Sequence, residues 1–146
     1  MSYTDNANVK KWVRALESGK YEQTIGELAS TDGDFCCLGV ACEVAIKNGV
    51  KLTKKQKGHT IFYDKQSGVL PTVVKKWLGL RTDSGSFKTP EASYPENIIE
   101  MDLTELNDNG DSFKEIAKVI KSNPKGLFVK PKKVVKVVKA KKQSRG

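Results

Sequence analysis

The chain has 146 residues, 38% of them hydrophobic, and a net charge of +9, and its length suits one compact domain. No apolar run approaches the roughly 20 residues of a transmembrane helix, and the first residues lack the apolar stretch of a signal peptide. Three cysteines lie within seven residues of one another, which excludes a disulfide framework and predicts free thiols. We therefore expect a soluble, cytoplasmic protein.

The first predicted element is an amphipathic helix between possible caps at residues 4–6 and a stop at Ser18-Gly19. Its apolar residues recur with helical spacing at Val9, Trp12, Val13 and Leu16. Residues 21–29 alternate weakly and contain Gly26, which favours an extended segment or an edge strand. Residues 31–34 then predict a turn.

The cysteine-containing segment is predicted to be a central, almost wholly buried helix. Its apolar stripe contains Leu38, Ala41, Cys42, Ala45 and Ile46, widened by Cys37, Val40 and Val44. Only Gly39, Glu43 and Lys47 form a narrow polar strip. We expect Asp34 to cap the start of this helix and Asn48-Gly49 to end it.

Less regular patterns follow this helix. Residues 51–58 are interpreted as a lysine-rich connection, and residues 59–64, HTIFYD, as a short strand. Pro71 can occupy the first turn of the next helix, which Gly79 ends. Its predicted inward residues are Val73, Val74, Trp77 and Leu78. The polar segment 81–97 lacks periodicity and is longer than most loops, so we interpret it as mobile or functional.

The last predicted helix begins with Ser112 and Glu115 as a capping box and ends before Pro124. Its inward residues are Phe113, Ile116, Ala117 and Ile120. The whole pattern predicts an α+β fold: a helix-rich single domain with about four amphipathic helices and a small sheet or hairpin. We place this compact domain in residues 1–125 and a lysine-rich C-terminal tail in residues 126–146.

The cysteines have one catalytic interpretation. Cys36 and Cys37 stand at a predicted helix N-terminus, where the helix dipole favours a thiolate. His59, the only histidine, is a candidate base, and Asp64 or Asn107 are candidates to orient it. Against this, Asp34 beside the thiols raises their pKa, and thiols in an apolar stripe are usually core residues, which is the interpretation we favour.

Metal and cofactor sites find little support in the sequence. Cys37 and Cys42 are five residues apart, about 140° around a helix, which does not match the paired ligands of structural zinc sites. Residues 105–112, ELNDNGDS, resemble a calcium loop, but Ile116 occupies the position that requires a bidentate glutamate. A turn with a helix cap explains them better. The nucleotide-binding glycine motifs do not occur, so we expect neither metal nor cofactor.

The C-terminal tail gives the strongest functional indication. Residues 1–129 carry a net charge of +1, and the remaining +8 belongs to Lys130, Lys132, Lys133, Lys136, Lys139, Lys141, Lys142 and Arg145. Such a segment binds nucleic acid or another polyanion through counterion release. Six phosphate contacts would give a slope of log K against log salt of roughly −5. Alternatives are an anionic membrane surface, against which the valines would lie, and a disordered solubilising end.

Four segments resemble a family of small uncharacterised proteins from tailed bacteriophages: KKWVRALESGKYEQTIGELAS, DFCCLGVACEV, LPTVVKKWLGL and LTELNDNGDSFKEIAKVI. The similarity covers most of residues 7–121 and is most specific in the CCLGV and LND segments. It implies a viral gene product in the cytoplasm of an infected bacterial host, and it brings no catalytic residues.

By this analogy we expect a non-enzymatic accessory protein that binds a host or viral protein, with the tail adding affinity for nucleic acid. One alternative is a cysteine hydrolase or transferase that uses Cys36 or Cys37 with His59. Another is an anti-defence protein that sequesters a small signalling molecule beneath segment 81–97. The sequence leaves the oligomeric state open.

Overall fold

The structure is a computed structural model, and it describes residues 3–130 apart from the side chain of Thr4. Seven of the eight tail cations, from Lys132 to Arg145, lie outside the described residues. Lys130 is described and exposed. No helix within the described range is both long and apolar enough to cross a bilayer.

Within the described residues, five α-helices form most of the regular structure, after a short 3₁₀ turn at Tyr3–Asp5. They are α1 (Ala7–Glu17), α2 (Cys37–Lys47), α3 (Thr72–Leu78), α4 (Leu103–Asp108) and α5 (Phe113–Lys121). Helix α2 is central, because it contacts α1, α3 and α4, and α1 also packs against α5. The predicted α+β, helix-rich class is confirmed, with the short α4 as a helix beyond the four that were expected.

The strands of the described part of the chain form three small two-stranded sheets. They are parallel β1 (Glu22–Gln23) with β2 (Asp34–Phe35), antiparallel β3 (Lys54–Lys57) with β4 (Thr60–Tyr63), and antiparallel β5 (Ser86–Pro90) with β6 (Ile98–Asp102). Backbone hydrogen bonds from Ile61 N–H to the Ala29 carbonyl and from Thr31 N–H to the His59 carbonyl fix the β3–β4 hairpin to the body.

The helices with clear sequence signals form where the sequence predicts them. The Asn6 side chain caps α1 by accepting a hydrogen bond from Val9 N–H, and Ser112 and Glu115 form the expected capping box of α5. Gly79 ends α3 in the left-handed conformation, at φ = 72°. The predicted inward faces of α1 and α5 are buried, and Leu38 of α2 is buried with them.

Several local predictions are wrong, for a shared reason. Residues 54–57 form strand β3 rather than a connection, and segment 81–97 contains β5 and leads into β6 rather than forming a long loop. The extended segment or edge strand predicted in residues 21–29 is confirmed in part, since Glu22–Gln23 form a strand that pairs with β2 alone. Strand formation here depends on a partner strand, so a polar segment without periodicity of its own still pairs.

Three predictions about single residues also need correction. Asp34 lies in β2 and accepts a hydrogen bond from the Ser30 hydroxyl, while Cys36 occupies the N-cap of α2. Gly39 is buried rather than part of a polar strip. Val73 is predicted to face inward but is 42% exposed. The buried residues of the short helix α3 are Val74 and Leu78.

The core extends beyond residue 125, where the sequence predicts the tail to begin. Leu127 and Phe128 are buried. Phe128 forms a β-bridge with Leu80, and Arg81 N–H donates to the Leu127 carbonyl at 2.9 Å. Residues 127 and 128 therefore belong to the compact body.

Candidate functional site

All three cysteines are free thiols buried in the core. Burial raises the pKa of Cys36 to about 11 and raises the pKa of Cys37 and Cys42 well above the ordinary thiol value. The N-terminus of α2 favours a thiolate, but desolvation is the larger effect. The Cys37 thiol lies 3.7 Å from the Leu103 carbonyl, to which it donates, as a protonated thiol does.

The groups proposed to assist a cysteine nucleophile are placed elsewhere. His59 lies exposed in the turn between β3 and β4. Asp64 accepts a hydrogen bond from Thr53 N–H, and Asn107 is fully buried, where it accepts one from the backbone N–H of Cys37. With the thiols inside and the imidazole outside, this geometry gives the Cys–His alternative no support.

We expect the three thiols to resist alkylation in the native protein. Burial blocks the reagent, and the raised pKa values leave few thiolates at pH 7.5. Iodoacetamide followed by intact mass measurement should give no labelling during a reaction that modifies all three cysteines in urea. Rapid native labelling of Cys36 or Cys37 would restore the catalytic interpretation.

The acidic segment 105–112 has a structural role. Glu105 and Asp108 belong to α4, and Glu105 forms a capping box with Asp102. The interpretation as a turn and cap holds for residues 109–112 but missed α4 itself. Within residues 3–130, no group of three or more histidine, cysteine or carboxylate side chains could hold a metal ion.

The β3–β4 hairpin brings lysines to one exposed face. In its register Lys55 is opposite Phe62, and Lys57 is opposite Thr60. Residues directly opposite each other in an antiparallel pair point to the same face, so Lys55, Lys57 and Phe62 share one side. Tyr63 is buried on the other side, where the hairpin meets the body. The lysine side is therefore the outer one.

A cleft of about 680 Å³ lies along this outer face, and we call it the hairpin cleft. Its lining residues are Thr53, Lys55, Gln56, Lys57, Phe62, Asp64 and Lys65. The Lys57 amine lies 5.7 Å from the centre of the Phe62 ring, which is partly exposed. A second cleft of about 480 Å³ shares Asp64 and reaches Lys76 of α3.

Contacts beneath the hairpin leave the outer lysines available. Lys54, on the inner side, pairs with Glu43 at 2.9 Å, and the Tyr63 hydroxyl donates to the same carboxylate at 2.6 Å. The Asp64 carboxylate accepts Thr53 N–H at 2.7 Å. No described carboxylate forms an ion pair with Lys55, Lys57 or Lys65.

The charge of the body is strongly polarised along the chain. Residues 51–76 contain seven lysines and one carboxylate, a net charge of +6. The other residues of 1–129 contain eleven basic and sixteen acidic side chains, a net charge of −5. Summing residues 1–129 to +1 hides this basic segment. A charge count by segment indicates it from sequence alone, but the side of the hairpin on which its lysines lie follows only from the strand pairing.

Residues 6–124 match the model of a family described as a domain of unknown function, DUF8296. This span contains the whole hairpin cleft and excludes all eight tail cations. No curated protein and no solved structure matches the chain.

Proposed function

The chain belongs to the DUF8296 family. We propose that it is a non-enzymatic nucleic-acid-binding protein. The hairpin cleft of the body binds the phosphate backbone, and the lysine tail adds affinity. The observation that carries this proposal is the convergence of Lys55, Lys57 and Lys65, without ion-pair partners among the described residues, on one open cleft.

The chemistry of the cleft favours phosphate contacts over the recognition of base edges. A lysine amine is a compact charge without the planar fork with which arginine binds guanine. Each contact with a phosphate releases counterions, so affinity should fall steeply with salt. Binding of this kind depends little on nucleotide sequence. The buried, protonated thiols support a role without nucleophilic catalysis.

The setting that we propose is the cytoplasm of an infected bacterial cell. The resemblance to small proteins of tailed bacteriophages supports this setting and the role of an accessory protein. A host or viral protein bound to the same nucleic acid is the expected protein partner, which the acidic remainder of the body can contact.

A matched pair of triple variants tests the proposal. The first, K55Q/K57Q/K65Q, removes three charges from the hairpin cleft. The control, K20Q/K114Q/K118Q, removes three exposed charges elsewhere and gives the same net charge. Both triples are made in the full chain and in a chain that ends at residue 130, and binding to a labelled oligonucleotide is measured from 50 to 300 mM salt.

The slope of log K against log salt is negative. We expect the cleft triple to make it less negative by about 2 to 3, and the control triple to change it far less. Truncation after residue 130 should reduce the slope further, because seven cations are removed. Equal losses from the cleft and control triples would show that only total charge matters. No loss from the cleft triple would contradict the role of the cleft.

A further inference from the structure

We propose that the nucleic acid bound in the hairpin cleft is single-stranded, with one base stacked on the ring of Phe62. The flanking phosphates contact Lys55, Lys57 and Lys65. This inference rests on the proposed function and adds the class of nucleic acid and the group that selects it.

Phe62 is unusual in its position rather than in its type. Its chain neighbours Ile61 and Tyr63 point toward the body, so Phe62 must point outward. An aromatic ring that supported only the fold would lie on the buried side. Here the ring lines the cleft and is partly exposed, with Lys55 opposite it and the Lys57 amine 5.7 Å from its centre.

Aromatic rings among lysines are typical of surfaces that bind single strands. The bases stack on the rings, and the cations follow the backbone. Lys55 and Lys57 are two residues apart on one strand, so their stems are about 7 Å apart. Long, flexible side chains at that spacing can reach neighbouring phosphates on either side of a stacked base.

The ring argues against a double helix as the ligand. In a duplex both faces of each base are covered by neighbouring base pairs, so Phe62 would have no base to stack on. Lysines alone bind duplex and single strand through their phosphates. Phe62 should therefore contribute to the binding of single strands and not to that of duplexes.

The cleft has room for this arrangement. Its volume of about 680 Å³ lies within the range of about 300 to 1,000 Å³ that small-ligand sites occupy. One nucleotide can occupy this volume, with its neighbours in the strand outside the cleft. The lysines give no means of reading a particular base, so the stacking should tolerate any sequence.

The test compares Phe62→Leu with Tyr94→Leu in the full-length protein. Tyr94 is 58% exposed outside the hairpin cleft and provides the control for loss of an exposed aromatic side chain. Each variant is titrated with a 12-nucleotide oligo-dT, a duplex of the same length, and heparin. Thermal unfolding checks that both variants are folded.

We expect Phe62→Leu to weaken binding of oligo-dT by about 5-fold to 100-fold, the effect of losing one stacked base. Binding of duplex and heparin should be unchanged, and Tyr94→Leu should bind all three like the wild type. Phe62→Trp should bind oligo-dT as the wild type does, and the fluorescence of the tryptophan at position 62 should be quenched when oligo-dT binds.

The outcomes separate this inference from the proposed function. A wild-type protein that binds none of the three polyanions would overturn both. If wild type binds all three and Phe62→Leu binds oligo-dT equally well, the stacking is wrong while the lysine contacts stand. A mononucleotide that competes at concentrations as low as oligo-dT would show a small-ligand site and overturn the assignment to single strands.

Discussion

Replacing Gly39 with alanine is expected to destabilise the protein by about 3 kcal/mol or more. A Cβ atom at this position would lie 1.8 Å from the Leu28 carbonyl oxygen and 2.7 Å from its carbonyl carbon. Both atoms belong to backbone, so no flexible side chain can move aside. In an isolated helix the same substitution would be favourable by about 1 kcal/mol, so the close approach must outweigh helix propensity.

The Leu28 segment cannot easily retreat from the new methyl group. Its carbonyl accepts the Cys36 N–H at 3.0 Å, and its own N–H donates to the Ser67 carbonyl at 2.6 Å. Moving it would weaken both hydrogen bonds, one of which holds Cys36 at the start of α2. The free energy of unfolding, measured in urea, should fall accordingly.

Gly68→Ala is the matched control for Gly39→Ala. No heavy atom lies within 4 Å of a Cβ at residue 68, and its backbone is not left-handed. We expect stability to remain unchanged or to rise by about 0.5 kcal/mol, because alanine restricts the unfolded chain. If the two variants were equally stable, α2 could not pack against Leu28 in this way.

The predictable part of the fold is the part determined within one helix. Helices α1 and α5 have strong apolar periodicity and side-chain caps at Asn6 and at Ser112, and both were predicted with their buried faces. The cysteine helix was predicted for the same reason. The N-cap of this helix was not predicted. Asp34 lies in strand β2 and Cys36 follows that strand, so the position of the strand decides which of the two residues caps the helix.

The unpredictable part depends on contacts between distant residues. Gly39 has no side chain, so a pattern of polar and apolar residues places it with the polar ones. Its burial against Leu28 is a tertiary contact. Strands β5 and β6 are similar, since neither has a clear alternation and their register depends on pairing.

The hairpin cleft was missed for a related reason. Residues 54–57 contain three lysines and a glutamine, and their sides can be assigned only when the partner strand is known. Once Tyr63 is seen to be buried, the two-residue period of a strand places Phe62 and Lys55 outside. The tail was easier to recognise because its charge needs no structure to be counted.

Replacing Asn107 with alanine is expected to destabilise the protein by about 3 kcal/mol. Its side-chain oxygen accepts hydrogen bonds from Cys37 N–H at 3.2 Å and from the Gln23 amide at 2.8 Å, and its amide donates to the Thr24 carbonyl at 2.8 Å. Asn107 is fully buried. Its truncation removes a partner from each of these groups and leaves a cavity between α4 and α2.

Asn97→Ala is the control, because Asn97 is exposed and its amide contacts only the Glu91 side chain. We expect the free energy of unfolding of this variant, measured in urea, to change by no more than about 0.5 kcal/mol.

Asn107 connects the LND segment to the CCLGV segment, and neither segment lines the hairpin cleft. Folded Asn107→Ala should therefore bind oligo-dT like the wild type. A variant of unchanged stability that lost binding would instead move the functional site to these recognisable segments, so measuring both quantities separates what holds the fold together from what contacts the ligand.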